Sequence, residues 1–366
     1  MQPRVTVAWI SSLLAVCMAA RCFADDSPEA QTQPGAPAPS AQAPNSTNTY
    51  VPTNAESTTP LPQHGDQWID HFQNWLYDTI WHTAMHVDRW FGSEEPDVAY
   101  AQTSGSIAPG FLWDQFNGSR TLFRFHADVP LPQLNEEFHA FVARVNPEEF
   151  ISESQRESGA FPNAIAPSTQ DQTLLGIEYF QPRRQGLHLD AGVGLPIALP
   201  LDPYVKGGYI YAHGAPESGV LTFRQFSFYQ NSQGGLGITS RLDLQRLIGQ
   251  SLMLAWAGST TIAQHSHGWA SFSTFDAFWA FPGRRALDLE LFIDGTSQAL
   301  VPLHDYGFKL AYRRSLFRDW LVLELRTGVD WPKIFPDTER KSSIGVGLGF
   351  EMFFGTDEFL ARPVTF

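Results

Sequence analysis

The stretch Ser342–Phe354, SSIGVGLGFEMFF, decides how the rest of the chain is read. Ile344, Val346, Leu348, Phe350, Met352 and Phe354 fall on one face of an extended chain. Gly345, Gly347, Gly349 and Glu351 fall on the other, with Phe353 the exception near the end. A period of two that separates a large apolar face from a small or polar one marks a strand lying between two different solvents. In a soluble sandwich the apolar face would meet a second sheet. Here the alternation runs back to about residue 105, with aromatic residues near the strand ends.

The alternation predicts fourteen strands, centred on 106–114, 119–129, 136–145, 171–181, 186–195, 203–212, 219–230, 234–244, 250–260, 268–280, 285–295, 304–314, 318–330 and 342–354. The first is the weakest, because Pro109 interrupts it. Such strands satisfy their backbones inside a membrane only by closing on one another. The fold class expected is therefore all-β: an antiparallel transmembrane β-barrel of about fourteen strands, with one N-terminal amphipathic helix. Connection lengths give an independent check. Counting back from a periplasmic C-terminus, the turns 315–317, 281–284, 245–249, 213–218, 182–185 and 130–135 are all short. The two longest connections, 146–170 and 331–341, then fall on the extracellular side. Twelve strands would satisfy the same parity if the first hairpin lay elsewhere.

Upstream, Arg4, the apolar run Val5–Ala20 and the small-residue site ending at Ala24 read as a secretory signal peptide, 1–24. Val16 is too bulky to precede a lipidated Cys17. Both cysteines, Cys17 and Cys22, belong to this leader, so the mature chain has no disulfide or thiol chemistry. The leader takes two of the 24 Lys+Arg and no acid, leaving 22 against 38 Asp+Glu, a net charge near −16. Nucleic acid is thereby excluded as a partner. The mean hydropathy of −0.20 does not argue against a barrel, since half of every strand faces a polar lumen.

Residues 25–65, rich in Pro, Ala, Ser and Thr, cannot bury enough surface to fold and read as a linker. Residues 66–92 carry Trp68, Phe72, Trp75, Ile80, Val87 and Trp90 at helical spacing, a periplasmic amphipathic helix ended by Gly92. It suits either the membrane surface or the barrel's periplasmic mouth. The barrel occupies 105–354, followed by a tail at 355–366.

Alternation, connection parity, the leader and the aromatic-ended last strand resemble bacterial outer-membrane β-barrel proteins. The run Asp88-Arg89-Trp90-Phe91-Gly92 before such a barrel is also similar to a group of uncharacterised proteobacterial barrel proteins. The resemblance implies an outer-membrane location, and the chain is expected to be a monomer. Outer-membrane lipid, the barrel-assembly machinery and small solutes are its implied partners. It implies no active site and no cofactor. The tail is a departure, because such barrels often end on an aromatic of the last strand; Phe354 is placed for that role.

Several strands set charges opposite their aliphatics: Arg241 and Asp243; Asp288, Glu290 and Asp294; Lys309 and Arg313; Glu324, Arg326 and Asp330. A Lys or Arg on the lipid face costs roughly 2–4 kcal/mol at the midplane, so these faces are expected inside the lumen. They serve there either as a charged constriction that selects solutes or as ion pairs bracing the wall. Two His-x-Asp pairs, His126/Asp128 and His188/Asp190, are spaced to share a face, but no serine or threonine is set beside them as a nucleophile. His265-Ser266-His267 is contiguous on a loop, which is no evidence of a catalytic pair. His82, His86 and Asp78 have metal-ligand spacing but read more simply as polar-face residues, and no metal is expected.

The function expected is a solute channel of modest cation preference, with the periplasmic helix capping or gating it. The alternatives are an outer-membrane hydrolase acting on lipid or peptide, and a structural or adhesive barrel without transport.

Overall fold

A computed structural model describes residues 103–131, 137–155, 171–181, 186–215, 218–232, 234–266, 268–333 and 335–355. The expected signal peptide, linker, 66–92 helix and the tail beyond 355 lie outside the described residues, as do His82, His86 and Asp78.

Fourteen strands follow in order: β1 Ser104–Asp114, β2 Gly118–Pro130, β3 Phe138–Val145, β4 Gln172–Phe180, β5 Leu187–Pro196, β6 Tyr204–Ala215 and β7 Gly219–Gln230. They continue as β8 Gly235–Ile248, β9 Leu252–Ala263, β10 Ala270–Phe281, β11 Arg285–Thr296, β12 Leu303–Ser315, β13 Leu321–Asp330 and β14 Ser343–Gly355. Each pairs antiparallel with its sequence neighbours, and β1 pairs with β14, closing the barrel. Closure decides the count at fourteen rather than twelve.

Pro109 does not break β1. The β1–β14 register holds on both sides of it, Ile107 opposite Met352 and Gly110 opposite Gly349, and the ladder skips only the positions between. A residue with no N–H to donate is tolerated where the ladder already has a gap. At the short-turn end, Gly249 closes the β8–β9 hairpin at φ +66°, a left-handed conformation that favours glycine.

The register sorts the two faces. Leu291 and Ile293 of β11 are each 48% exposed, whereas Glu324 of β13 is 2% and Lys309 of β12 is 4% exposed. Apolar side chains outside and charges inside invert the arrangement of a soluble protein. That inversion belongs to a barrel whose outer face meets lipid and whose lumen is polar. Phe354, expected on the apolar face, lies opposite Gly105, with its ring covering the place where a Cβ of Gly105 would sit, and is 1% exposed. The off-pattern Phe353 is buried too, packed with Trp320, Leu321, Val322 and Met352.

Candidate functional site: a lumenal constriction

The first residues of the long connection after β3, 146–155, turn inward. They form the helix α1, Pro147–Ser152, which packs against β6, β7 and β8 across the lumen. Local sequence starts the helix. The Asn146 side chain accepts from Glu148 N at 3.0 Å, Pro147 sits in the first turn, and Glu148 and Glu149 favour the positive end of the helix. Asn146 Nδ2 also donates to Glu149 Oε1 at 3.0 Å. Glu153 ends the helix in the left-handed region, at φ 54°. Asn-Pro-Glu-Glu before Phe-Ile was a readable start signal inside what the sequence suggested was only a loop.

Two kinds of contact hold α1 in place. Phe150 and Ile151 enter an apolar cluster with Phe141, Ala143, Leu174, Tyr204 and Phe228. The rings fit because the wall beneath them is glycine. Phe141, Gly176, Gly194 and Tyr204 form one register row across β3–β6. A Cβ added at Gly176 would lie 2.7 Å from the Phe141 ring, and one at Gly194 2.7 Å from Tyr204 Oη. The second contact is ionic. Lys206 Nζ lies 2.7 Å from Glu153, 3.0 Å from Glu178 and 4.2 Å from the centroid of the Phe150 ring. Beyond α1, Arg124 grips Asp171 through two bonds of 2.7 and 2.8 Å, pinning the point where the connection rejoins β4. Burial raises the Glu148 carboxyl above its ordinary pKa, and the facing Asp294 carboxylate adds to it. Glu149 is also raised by burial, against the opposing pull of Arg124 and Asn146.

Past α1, Ser154 and Gln155 face a cavity of about 110 Å³ whose wall includes Arg241, Asp243, Ser259, Thr274, Asp276, Glu290 and Arg326. The charges expected to line the lumen all sit on the inward-facing register. Arg241 and Asp243 form a chelated pair on β8, with Nη2 2.7 Å from Oδ1. Lys309 lies 2.6 Å from Glu290. Arg313 lies 2.6 Å from Glu351, and Arg326 3.0 Å from Glu324. Asp288 stands opposite Ala311 on the inward face. Asp294 is directly opposite Asp305, and Asp330 lies one strand further on, across from Gly307, so acids gather toward the long-loop mouth. Asp114, paired with Arg120 at 2.7 Å, and Asp305 are inward charges that the sequence reading did not single out.

The His-x-Asp pairs are rearranged. Asp128 meets His139 Nδ1 of the neighbouring strand at 2.5 Å, and the His139 ring stands edge-on to Phe180. His126, on the same inward face of β2, lies across from Ser106 and Ala143. His188 stacks on Phe180 with centroids 6.2 Å apart, while Asp190 lies opposite Gly208 beside the Lys206 group. Ser266 Oγ is occupied in its own turn, bonded to Ala263 and Gly268. Among the described residues, no group of three or more His, Cys, Asp or Glu is arranged to hold a metal ion.

No family model matches the sequence, and no curated protein matches it. The structure is similar to solved outer-membrane proteins at low identity. Against OprB of Pseudomonas putida the TM-score is 0.42 at 10% identity, covering 69% of this chain and 93% of that one. OccK11 (OpdR) of Pseudomonas aeruginosa gives 0.41 at 10% identity, with 69% and 96% covered. An anion-selective porin from Comamonas acidovorans gives 0.40 at 11% identity, with 69% and 98% covered. The closed register and the inverted burial, rather than these likenesses, make the chain a closed barrel whose apolar outer face is suited to lipid.

Proposed function

We propose that the chain is an outer-membrane channel for small hydrophilic solutes, narrowed by residues 146–155 and modestly selective for cations, with the 66–92 helix capping or gating its periplasmic mouth. The observation that carries this reading is the polar gap left between the inward-folded segment and the wall at Arg241, Asp276, Glu290 and Arg326. A purely structural barrel would gain more from filling that space with apolar side chains than from holding charges in it. One chain closes its own pore, so a monomer suffices for one channel. Cation preference follows from the acids at the mouth, Asp294, Asp305 and Asp330, acting through a field that salt in a wide lumen would weaken.

The test is conductance across a planar bilayer, for the full chain and for a chain lacking 147–155. The deletion is expected to enlarge the unit conductance. Absence of conductance in both would refute the channel.

A further inference from the structure

The outer face carries a feature that neither lumen nor core explains. Arg285 of β11 and Arg314 of β12 are direct cross-strand partners on the lipid-facing register. Both are exposed. Direct partners have Cβ atoms about 5 Å apart, and like charges in that position repel. Among the described residues, no acid relieves them. Asp319 at this rim pairs with Arg284, while Asp288, Glu290 and Glu324 face the lumen. Arg285 donates to Pro282 O through Nε and Nη2, at 3.2 and 3.0 Å, leaving most of its donors unspent. Arg314 has no hydrogen-bond or ion-pair partner among the described residues.

The neighbours fix the depth. Phe281 lies directly opposite Arg285 on the other side, and the next row holds Trp279, Leu287 and Tyr312. The Trp279 and Phe281 rings are stacked 5.6 Å apart and open to the outside. Trp and Tyr gather where a barrel crosses the headgroup level of a bilayer. This is the short-turn end, which in such barrels faces the periplasm. We propose that Arg285 and Arg314 form a clamp for the phosphate of one phospholipid in the periplasmic leaflet, whose acyl chains run along the aromatic and leucine surface above. Two guanidinium forks converge on a tetrahedral oxyanion as on few other groups, and a bound phosphate turns their repulsion into attraction. The proposal rests on the barrel being embedded in a membrane and not on its being a channel.

The full chain in detergent micelles, titrated with short-chain phosphatidylglycerol and weighed by native mass spectrometry, tests it. R285Q/R314Q is expected to lower the singly lipidated fraction about tenfold, given the strength of charged hydrogen bonds. R246Q, which removes a lone exposed arginine of the outer face of β8, should leave it unchanged, and diacylglycerol, which has no phosphate, should bind all forms alike. Heat-dependent gel migration checks folding, and R314Q alone, with a smaller loss, serves if the double variant fails to assemble. Equal lipidation of the wild type and the arginine variants would overturn the clamp, as would an equal loss in R246Q. Displacement of the lipid by millimolar inorganic phosphate would assign the pair to a free anion and overturn it as a lipid site.

Discussion

Lys206 Nζ reaches Glu178 at 3.0 Å by passing over Gly192, which lies between them on β5. A Cβ at Gly192 would stand 3.1 Å from Glu178 Cγ and 3.4 Å from Lys206 Cε, so the bond spans a strand because that strand has no side chain there. The same ammonium holds Glu153 at the end of α1. One lysine therefore ties the inward segment to the wall.

Lys206→Ala leaves Glu153 and Glu178 without their cation in a largely closed site, and removing one partner of a buried pair costs about 3–5 kcal/mol. The full value does not apply to Glu153, which is the more exposed of the two acids. The inward segment is expected to loosen, raising unit conductance and adding current noise, while the barrel keeps its heat-resistant gel migration. Gly192→Val should do the same with Lys206 intact, by forcing the two side chains apart. A quiet, unchanged current in both variants would show that the lysine does not hold the segment.

Neutralising Asp288 and Glu290 together removes two inward carboxylates and should shift selectivity away from cations. Glu290 is the 2.6 Å partner of Lys309, so Glu290→Gln leaves a buried ammonium without that compensation. The reversal potential under a salt gradient is expected to move toward anions for Asp288→Asn with Glu290→Gln. Asp288→Asn alone should move it less. No shift in the double variant would refute a role for these carboxylates in selection.

Acidification should tighten the constriction. The Glu148 and Glu149 carboxyls are raised above the ordinary 4.5 by burial in the inward-folded segment. An acid whose pKa is higher in the folded form takes up its proton there first. The inward-folded form therefore gains stability as pH falls through the raised values, the gain is complete below about 4.5, and it is lost again as pH rises. Current noise should fall over that window in the wild type, and E148Q/E149Q should show little dependence on pH there. Equal pH dependence in both proteins would place the titration elsewhere.

Much of this barrel is determined by the sequence alone, because a strand between lipid and a polar lumen must alternate. The run Ile344, Val346, Leu348, Phe350 needs no partner to declare its outer face, and the charges between Leu287, Leu289 and Leu291 declare the inner one. Connection parity follows by repetition, as does the inward placement of Arg241, Glu290 and Glu324, while the choice of fourteen strands over twelve waited for the pairing of β1 with β14. Which charges meet was decided only by the tertiary structure. Asp128 pairs with His139 and not with the nearer His126, because stagger between β2 and β3 sets the distance. Lys206 finds Glu178 only once the register of β4–β6 is set, and Glu153 only after residues 146–155 have turned into the lumen. The segment's own residues start α1, but where Phe150 and Ile151 dock depends on the glycine and aromatic row of β3–β6, which forms only when those strands pair. Alternation is a local consequence of two solvents, whereas pairing across a closed sheet depends on register summed around fourteen strands.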